Sequence, residues 1–431
     1  MLAAFGKAFK TPDLRKKIFF TLAIMGLFRF GSIVPTPGVS YKNVQSCLNQ
    51  TSSGGLFGLI NLFSGGALLH LSVFALGIMP YITSSIIIQL LTVVIPRFET
   101  LKAEGQSGNA KLTQYTRYLT VGLAVLQSTG LIAVARSTGR LFSGCSLPIV
   151  PDSSWPRIVT MVLVMTAGTS VIMWLGELIT DRGIGNGMSI LIFTSIAAGF
   201  PTQLWSIKQQ KGWFAFSFVM AVGVLVVAAV VFVEQAQRRI PVQYAKRQIG
   251  RQSYGGTSTY IPIKVNQAGV IPVIFASSLL YIPSLIVNFS GSTAKWSIWI
   301  QQNLVKGDHP IYIISYAALI IFFTYFYVAI TFNPDEVADN MKQYGGFIPG
   351  IRAGKPTSEY LQYVLSRITA AGSLYLAFVA IIPIIALILF QASQNFPFGG
   401  TAILIVVGVG LDTAKQIESQ LQQRSYEGFL R

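Results

Sequence analysis

The chain has 431 residues, of which 52% are apolar and only 11% carry a charge. A soluble domain of this size needs a far more polar surface, so the composition excludes that class and predicts an integral membrane protein. Lys and Arg outnumber Asp and Glu by 32 to 15, and the net charge of +17 predicts a basic face.

Long apolar runs divide the chain into predicted transmembrane helices. Each run is continuous and close to the roughly 20 residues that a helix needs to cross the hydrocarbon core, unlike the short alternating strands of a β-barrel. We predict ten spans, at about 18–36, 72–94, 116–135, 157–176, 187–205, 213–233, 266–288, 311–332, 366–390 and 397–413. Most Lys and Arg residues lie in the terminal segments and in the loops at 95–117, 177–186, 234–264 and 333–367. By the positive-inside rule, these loops and both termini are cytoplasmic.

A short apolar stretch, GGLFGLINLFSGGAL at 54–68, lies just before the second span. It is too short and too rich in glycine to cross a bilayer as a helix. A piece of this length beside a full span is typical of re-entrant, interfacial or protein-buried segments. The unequal pair therefore predicts an element that is held inside a membrane cavity.

Charge is scarce inside the predicted spans, where Arg29 is the only charged side chain well within an apolar run. A transporter driven by an ion gradient usually keeps charged groups at the midplane to bind its coupling ion. The sequence therefore disfavours a secondary transporter of small solutes, which is the alternative function. Neutral polar residues do occur in or beside the spans, and we expect them to face protein or a wet cavity.

Two long basic loops, at 234–264 and 333–363, are assigned to the cytoplasmic face. The first alternates basic with apolar or aromatic residues and has turn signals, which predicts a protruding hairpin. Contact with anionic lipid headgroups would explain much of this charge. Because the loops are longer than the topology requires, they also predict a platform for a large partner, either protein or RNA.

Signatures of catalysis and of metal binding are weak. Cys47 and Cys145 both fall in loops assigned to the outer face, where a disulfide and two free thiols are both open alternatives. Neither cysteine has the spacing of a metal ligand and the two histidines are isolated, so we predict no metal site. The runs GIGNG at 183–187 and GKPT at 354–357 do not match a phosphate-binding loop, and we predict no cofactor. GIGNG is predicted to be a tight loop between two spans.

Six segments, in order along nearly the whole chain, resemble the SecY family of channel-forming subunits of the bacterial protein-conducting translocon. They read FSGGALLHLSVFALGIMPYITSSIIIQLLTVV at 63–94, WLGELITDRGIGNGMSILIF at 174–193, RRIPVQYAKR at 238–247, PIKVNQAGVIPVIFASS at 262–278, FNPDEVADNMKQYGGFIPGIRAGKPT at 332–357 and GGTAILIVV at 399–407. Six long motifs in one order are far more specific than any single pattern.

The resemblance implies an all-α integral membrane protein with ten transmembrane helices in two pseudo-symmetric inverted halves, residues 1–205 and 206–431. In this family, the short segment before the second span is a re-entrant plug helix, here about 54–66, which closes the outer half of an hourglass channel. The implied function is that of a protein-conducting channel in the cytoplasmic membrane and not of an enzyme. Such a channel passes unfolded secretory proteins across the membrane and releases transmembrane segments laterally into it.

The resemblance also assigns individual residues to parts of the channel. The pore-ring positions are Ile78, Ile82, Ile192, Ile274 and Ile405, with Met188 near them. The plug positions are Gly54, Leu56, Phe57, Ile60, Asn61, Phe63, Gly65 and Gly66. A lateral gate is implied between the second and seventh spans, with the third and eighth behind them. Its candidate polar contacts are Thr83, Gln89, Asn186 and Asn266.

The implied partners are the small subunits SecE and SecG, the motor ATPase SecA, the ribosome, unfolded preproteins with their signal sequences, and membrane lipids. SecA or a translating ribosome would dock on the two basic loops, where arginine pairs with acidic side chains or with RNA phosphates. The docking positions are Arg247, Arg251 and Arg352. Family members usually have proline after the arginine that matches Arg352, but this chain has Ala353, so we expect a less rigid loop tip.

Overall fold

The computed structural model describes residues 9, 11–50, 64–68, 70–136, 145, 147–152, 154–244, 247–249, 252–254, 258–290, 295–305, 309–390 and 400–427. Within these residues the chain is mainly helical, with two small antiparallel sheets. Helices suit a chain in lipid because each one pairs its backbone amides and carbonyls internally.

The helices before residue 236 are α1 (Pro12–Gly31), α2 (Tyr41–Gln50), α3 (Met79–Val94), α4 (Pro96–Ala103), α5 (Gln106–Arg136), α6 (Trp155–Arg182) and α7 (Gly187–Gln235). The strands that follow are β1 (Gln237–Tyr244), β2 (Arg247–Ile249), β3 (Gln252–Tyr254) and β4 (Ser258–Lys264). The remaining elements are α8 (Ile271–Ser290), α9 (Lys295–Ile300) with a π-helical turn (Gln301–Val305), α10 (Pro310–Thr331), α11 (Pro334–Gln343), β5 (Gly346–Phe347), α12 (Lys355–Phe390) and α13 (Gly400–Glu427).

Each predicted span overlaps one of these helices, and the fifth and sixth both lie in α7. The described helical stretches that are long and apolar enough to cross a membrane are Gln106–Arg136, Trp155–Arg182, Gly212–Gln235, Pro310–Gln343 and Lys355–Ile382. Helices α3 and α4 pass the same test as a pair, but the chain bends by 100° between them.

The second span differs from its predicted bounds, because α3 begins at Met79 and not at residue 72. Residues 70–78 form turns instead of helix. Their backbone is bonded to the chain that follows α1, as when the Thr36 N–H donates to the Leu71 carbonyl at 3.0 Å. These long-range bonds replace the helical ones, and apolar composition alone does not reveal them.

Helix α7 is broken where the two predicted halves meet. Gly212 has φ 81° and ψ −177°, a conformation that is essentially confined to glycine. Residue 212 lies between the fifth and sixth predicted spans, so the two spans are joined directly at this break. Away from it, α13 packs against α7, and α8 packs against α3 and α5, so helices of both halves contact each other.

The two basic loops form one structural unit. Strands β1 and β4 pair antiparallel from Gln237↔Lys264 to Gln243↔Ser258, so the predicted hairpin is present. Strand β5, from the second loop, pairs with the other edge of β1 and gives the order β4-β1-β5. The apolar side chains of β1 and β4 pack against α11 and α12. The buried residues of this cluster include Ile240, Val242 and Ile263 of the strands, Met341 of α11 and Leu361 of α12. The loops therefore share a small core of their own.

Cys47 and Cys145 form a disulfide, with their Cα atoms 5.5 Å apart. The two segments are also joined by hydrogen bonds, from Asn43 Nδ2 to the Pro148 carbonyl at 2.8 Å and from the Ser40 N–H to the Ile149 carbonyl at 3.0 Å. Of the two alternatives that the sequence left open, the structure has the disulfide.

We expect neither cysteine to react with a maleimide-polyethylene glycol reagent until the disulfide is reduced. Non-reducing electrophoresis of the denatured protein should show no added label before reduction and two labels after it, because both cysteines of the chain are in the bond. A Cys47→Ser variant is the control, since it leaves Cys145 reactive from the start. Two labels on unreduced wild-type protein would contradict the disulfide.

Candidate functional site

Six apolar side chains from four helices meet in one cluster, and they are the predicted ring positions. Helix α3 supplies Ile78, its N-cap, and Ile82; α7 supplies Met188 and Ile192; α8 supplies Ile274; and α13 supplies Ile405. Four of them are buried, with exposed fractions of 2% for Ile78, 5% for Ile192, 8% for Ile274 and 1% for Ile405. Ile82 and Met188 are partly buried. The cluster is therefore built from helices of both predicted halves.

The cluster is larger than the predicted ring. Its other buried members are Ile24, Phe28, Phe74, Met79, Ile172, Leu175, Ile179, Ile190, Leu191, Ile196 and Ala402. The sequence carries no signal that separates these residues from the ring positions, since all have the same apolar character. A continuous apolar cluster offers no partner to the hydration shell of an ion, so it is suited to exclude water and ions.

The glycine-rich turn at 183–187 sets the position of α7 against α6. Gly187 packs so closely on the carbonyl oxygen of Gly176 that a Cβ atom would overlap it. The Gly187 N–H donates to Thr180 Oγ1 at 2.9 Å. Asn186 caps α7, and its Oδ1 accepts from the Met188 N–H at 3.1 Å. The predicted tight loop is confirmed, and it positions Met188 against the apolar cluster.

Two of the predicted plug positions, Gly65 and Gly66, fall within the described residues. The other six, Gly54, Leu56, Phe57, Ile60, Asn61 and Phe63, lie outside them. Gly65 and Gly66 have φ values of 64° and 93°, which lie in the left-handed region that favours glycine. Both belong to a stretch that leads into α3, residues 64–68 and 70–78, which we call the base segment.

The base segment is held against α1 and α7. Arg29 of α1 donates from Nη1 to the Gly65 carbonyl oxygen at 2.5 Å. Phe74 stacks on Phe28 of α1, with the ring centroids 5.9 Å apart. On the α7 side, a Cβ atom at residue 65 would lie 3.1 Å from the Cα of Ser195. These contacts fix the backbone of the segment next to the apolar cluster.

The four candidate gate residues do not meet. Thr83 donates to the Met79 carbonyl of its own helix at 2.9 Å, and Gln89 is exposed. Asn186 is the cap of α7 described above. Asn266 donates from Nδ2 to Glu234 Oε1 at 2.5 Å, at the end of α7. Within the described part of the chain, the hydrogen bonds found for these side chains do not join α3 to α8.

Apolar packing, instead, covers the boundary between α3, α5, α8 and α10. One buried cluster includes Ile86 of α3, Leu131 of α5, Phe275 of α8 and Phe323 of α10. The rings of Phe275 and Phe323 meet edge to face, with their centroids 5.7 Å apart. The sequence missed this contact because aromatic residues are frequent throughout the spans.

The predicted docking arginines are placed unevenly. Arg352 is exposed in the turn before α12, and its carbonyl oxygen accepts from Thr357 Oγ1 at 2.8 Å. Gly350 and Gly354, on either side of it, have φ values of 85° and 100°. Arg247 lies in β2, opposite Tyr254 of β3, whereas Arg251 is outside the described residues. The turn thus presents Arg352 to solvent beside the β4-β1-β5 sheet.

The chain is similar to known proteins along its whole length. The SecY family model matches residues 72–414. The chain is 70% identical over 438 residues to the protein translocase subunit SecY of Streptomyces galbus and 59% identical over 442 residues to that of Mycobacterium tuberculosis. Both alignments cover 100% of this chain and 100% of the relative.

Solved structures share the fold. A protein-conducting channel aligns with a TM-score of 0.63 at 18% identity, covering 94% of this chain and 91% of the other. A SecY protein, studied for a plug domain that stabilises its closed state, aligns with a TM-score of 0.62 at 19% identity over the same shares. Sec61 in the canine ribosome-channel complex gives 0.59 at 15% identity, again with 94% and 91% covered. The predicted helical membrane fold is thereby confirmed.

We expect Gly187→Ala to lower the melting temperature of the detergent-solubilised protein by several degrees. The added methyl overlaps the Gly176 carbonyl oxygen, and overpacking of this kind typically costs about 1–3 kcal/mol. Gly122→Ala in α5 is the matched control, because a Cβ atom there has no heavy atom within 4 Å. Equal melting temperatures for the two variants would contradict the close contact between α6 and α7.

Proposed function

The chain belongs to the SecY family, and from this premise we infer that it forms the protein-conducting channel of a membrane translocase. The observation that carries the inference is 59–70% identity over the full length of relatives named as protein translocase subunits. The family is one of channels and not of enzymes. The secondary-transporter alternative is not favoured, since these relatives are translocase subunits.

The substrates that we propose are unfolded secretory proteins, which cross the membrane, and transmembrane segments, which leave sideways into the lipid. The constriction would be the six ring positions within the apolar cluster. An apolar neck resists wetting when it is empty, and aliphatic side chains deform around an extended chain without recognising its sequence. Their burial and convergence from both halves support this role.

We propose that the lateral gate lies between two pairs of helices, with α3 and α5 on one side and α8 and α10 on the other. The support is that α8 packs directly on α3 and α5. The observed contacts shift the emphasis from polar bonds to apolar packing, such as the buried cluster that joins Ile86 of α3 and Leu131 of α5 to Phe275 of α8. An entering apolar signal sequence would replace such packing with packing of the same kind, so the gate would part at a low cost in free energy.

The cytoplasmic surface that we propose for partner docking is the β4-β1-β5 sheet with the turn that carries Arg352. SecA, or a ribosome, would bind there, and SecE and SecG would complete the complex. The ribosome has a precedent in the Sec61 relative, which was solved in a ribosome-channel complex. An exposed arginine on a turn can reach acidic side chains or RNA phosphates without a large desolvation penalty.

Both termini and the sheet would then face the cytoplasm of the bacterial inner membrane. Two independent features support this orientation. The positive-inside rule puts the basic loops on that side. The Cys47–Cys145 disulfide lies on the opposite face by the same topology, and disulfides persist in the oxidising space outside the cytoplasm.

Reconstitution tests the function itself. Proteoliposomes that contain this chain with SecE and SecG should import a presequence-bearing protein when SecA and ATP are supplied, because the motor and not the chain provides the energy. Protease protection of the imported protein is the measurement, and liposomes without the chain are the control. Uptake of small solutes without import of protein would instead support the transporter alternative.

Arg352→Glu should lower the rate of SecA-driven import in the same proteoliposomes by about tenfold, because it turns an attractive charge into a repulsive one. Lys111→Glu is the matched control, as it reverses an exposed cation near the start of α5, on the same predicted face. Membrane insertion and melting temperature should not change in either variant. Equal import by both variants would argue against Arg352 as a docking residue.

A further inference from the structure

Arg29 is the charged side chain that lies well inside a predicted span, and such residues are expensive in a membrane unless they have a task. It is half-buried near the end of α1. The cationic end of the side chain is directed at the base segment, where Nη1 donates to the Gly65 carbonyl oxygen at 2.5 Å. A hydrogen bond of a charged donor is roughly twice as strong as a neutral one.

The charge of Arg29 also affects a second residue of the base segment, His70. Burial, together with the positive charge of Arg29, lowers the pKa of His70 below its usual value. Lowering this pKa favours the neutral form of His70, so the positive charge that lies against the base segment here is that of Arg29.

The backbone of the base segment is held in conformations that do not persist without support. Gly65 and Gly66 are left-handed, and Leu71 is left-handed too, with φ 46° and full burial. A left-handed residue other than glycine typically costs about 1–3 kcal/mol and requires surroundings that impose it. The close approach of Gly65 to Ser195 and its bond to Arg29 are two such constraints.

We propose that Arg29 is a latch that stabilises the closed channel by holding the carbonyl of Gly65, and with it the base segment, against α1 and α7. Arg29 is a positioning residue in this role, since it acts on the segment and not on the transported protein. Opening then requires the guanidinium to release that carbonyl. The proposal rests on the channel function inferred above.

Two substitutions should each weaken the contact between Arg29 and Gly65, one at the donor and one at the acceptor. Arg29→Met removes the donor and keeps an apolar stem. Gly65→Ala leaves the Arg29 side chain intact, but its Cβ atom would lie 3.1 Å from Ser195 Cα and 3.2 Å from Arg29 Nη1, so these tight contacts must give way by a few tenths of an ångström.

Each variant has a matched control. Gly105→Ala, between α4 and α5, imposes the same left-handed strain, yet its Cβ atom would have no heavy atom within 4 Å. Arg157→Met removes a cation whose side chain is 53% exposed and paired with Asp152. Neither control touches the contact between Arg29 and Gly65.

The measurement is the leak of ions through the proteoliposomes described above, before any substrate is added. Loss of a charge-assisted bond from the closed state shifts a closed-to-open equilibrium by about tenfold or more. We therefore expect about a tenfold rise in leak for Arg29→Met and for Gly65→Ala, and less than a twofold change for the two controls. SecA-driven import should be retained in all four variants.

Wild-type leak in both Arg29→Met and Gly65→Ala, with import intact, would overturn the latch and leave the channel function standing. Failure of the wild-type protein to import would instead overturn the proposed function. If Arg29→Met does not accumulate in the membrane, Gly65→Ala decides, because it changes the acceptor side of the contact and leaves Arg29 in place. A raised leak of Gly65→Ala at an unchanged melting temperature supports the latch, whereas a wild-type leak overturns it.

Discussion

Exclusion of water from the apolar cluster is the constraint on which the other features depend. The cluster joins α3 and the start of α7 to α8 and α13, so residues that are far apart in the chain must come together to form it. Its strength comes from many small apolar contacts, with no directional bond among them. Directional hydrogen bonds are found around it, at the cap of α7 and at the base segment.

Close backbone contact gives the surroundings of the cluster their rigidity. At Gly187 and Gly65 one chain segment approaches another so nearly that a methyl group does not fit without displacement. Such contacts leave little freedom for rearrangement, in contrast to the isoleucine side chains between them, which can change rotamer. The apolar cluster is therefore more deformable than the backbone contacts that surround it.

The length of the apolar runs was enough to predict where the helices lie, because a bilayer imposes a minimum span. It could not give the start of α3 at Met79, which is set by bonds to residues far away in the chain. Ring positions such as Ile192 were assigned only through the family resemblance, as the nearby Ile190 is just as apolar and buried. The partner of Asn266 was missed for a related reason: Glu234 is 32 residues away, and neither residue type specifies the other.

The pairing of β5 with β1 has a mechanical consequence. Strand β1 continues directly from α7, β4 leads to α8, and β5 lies between α11 and α12, so the sheet ties together the ends of several membrane helices. A force applied at the tip of either loop would then be shared among these helix ends, and no single helix would bear it alone.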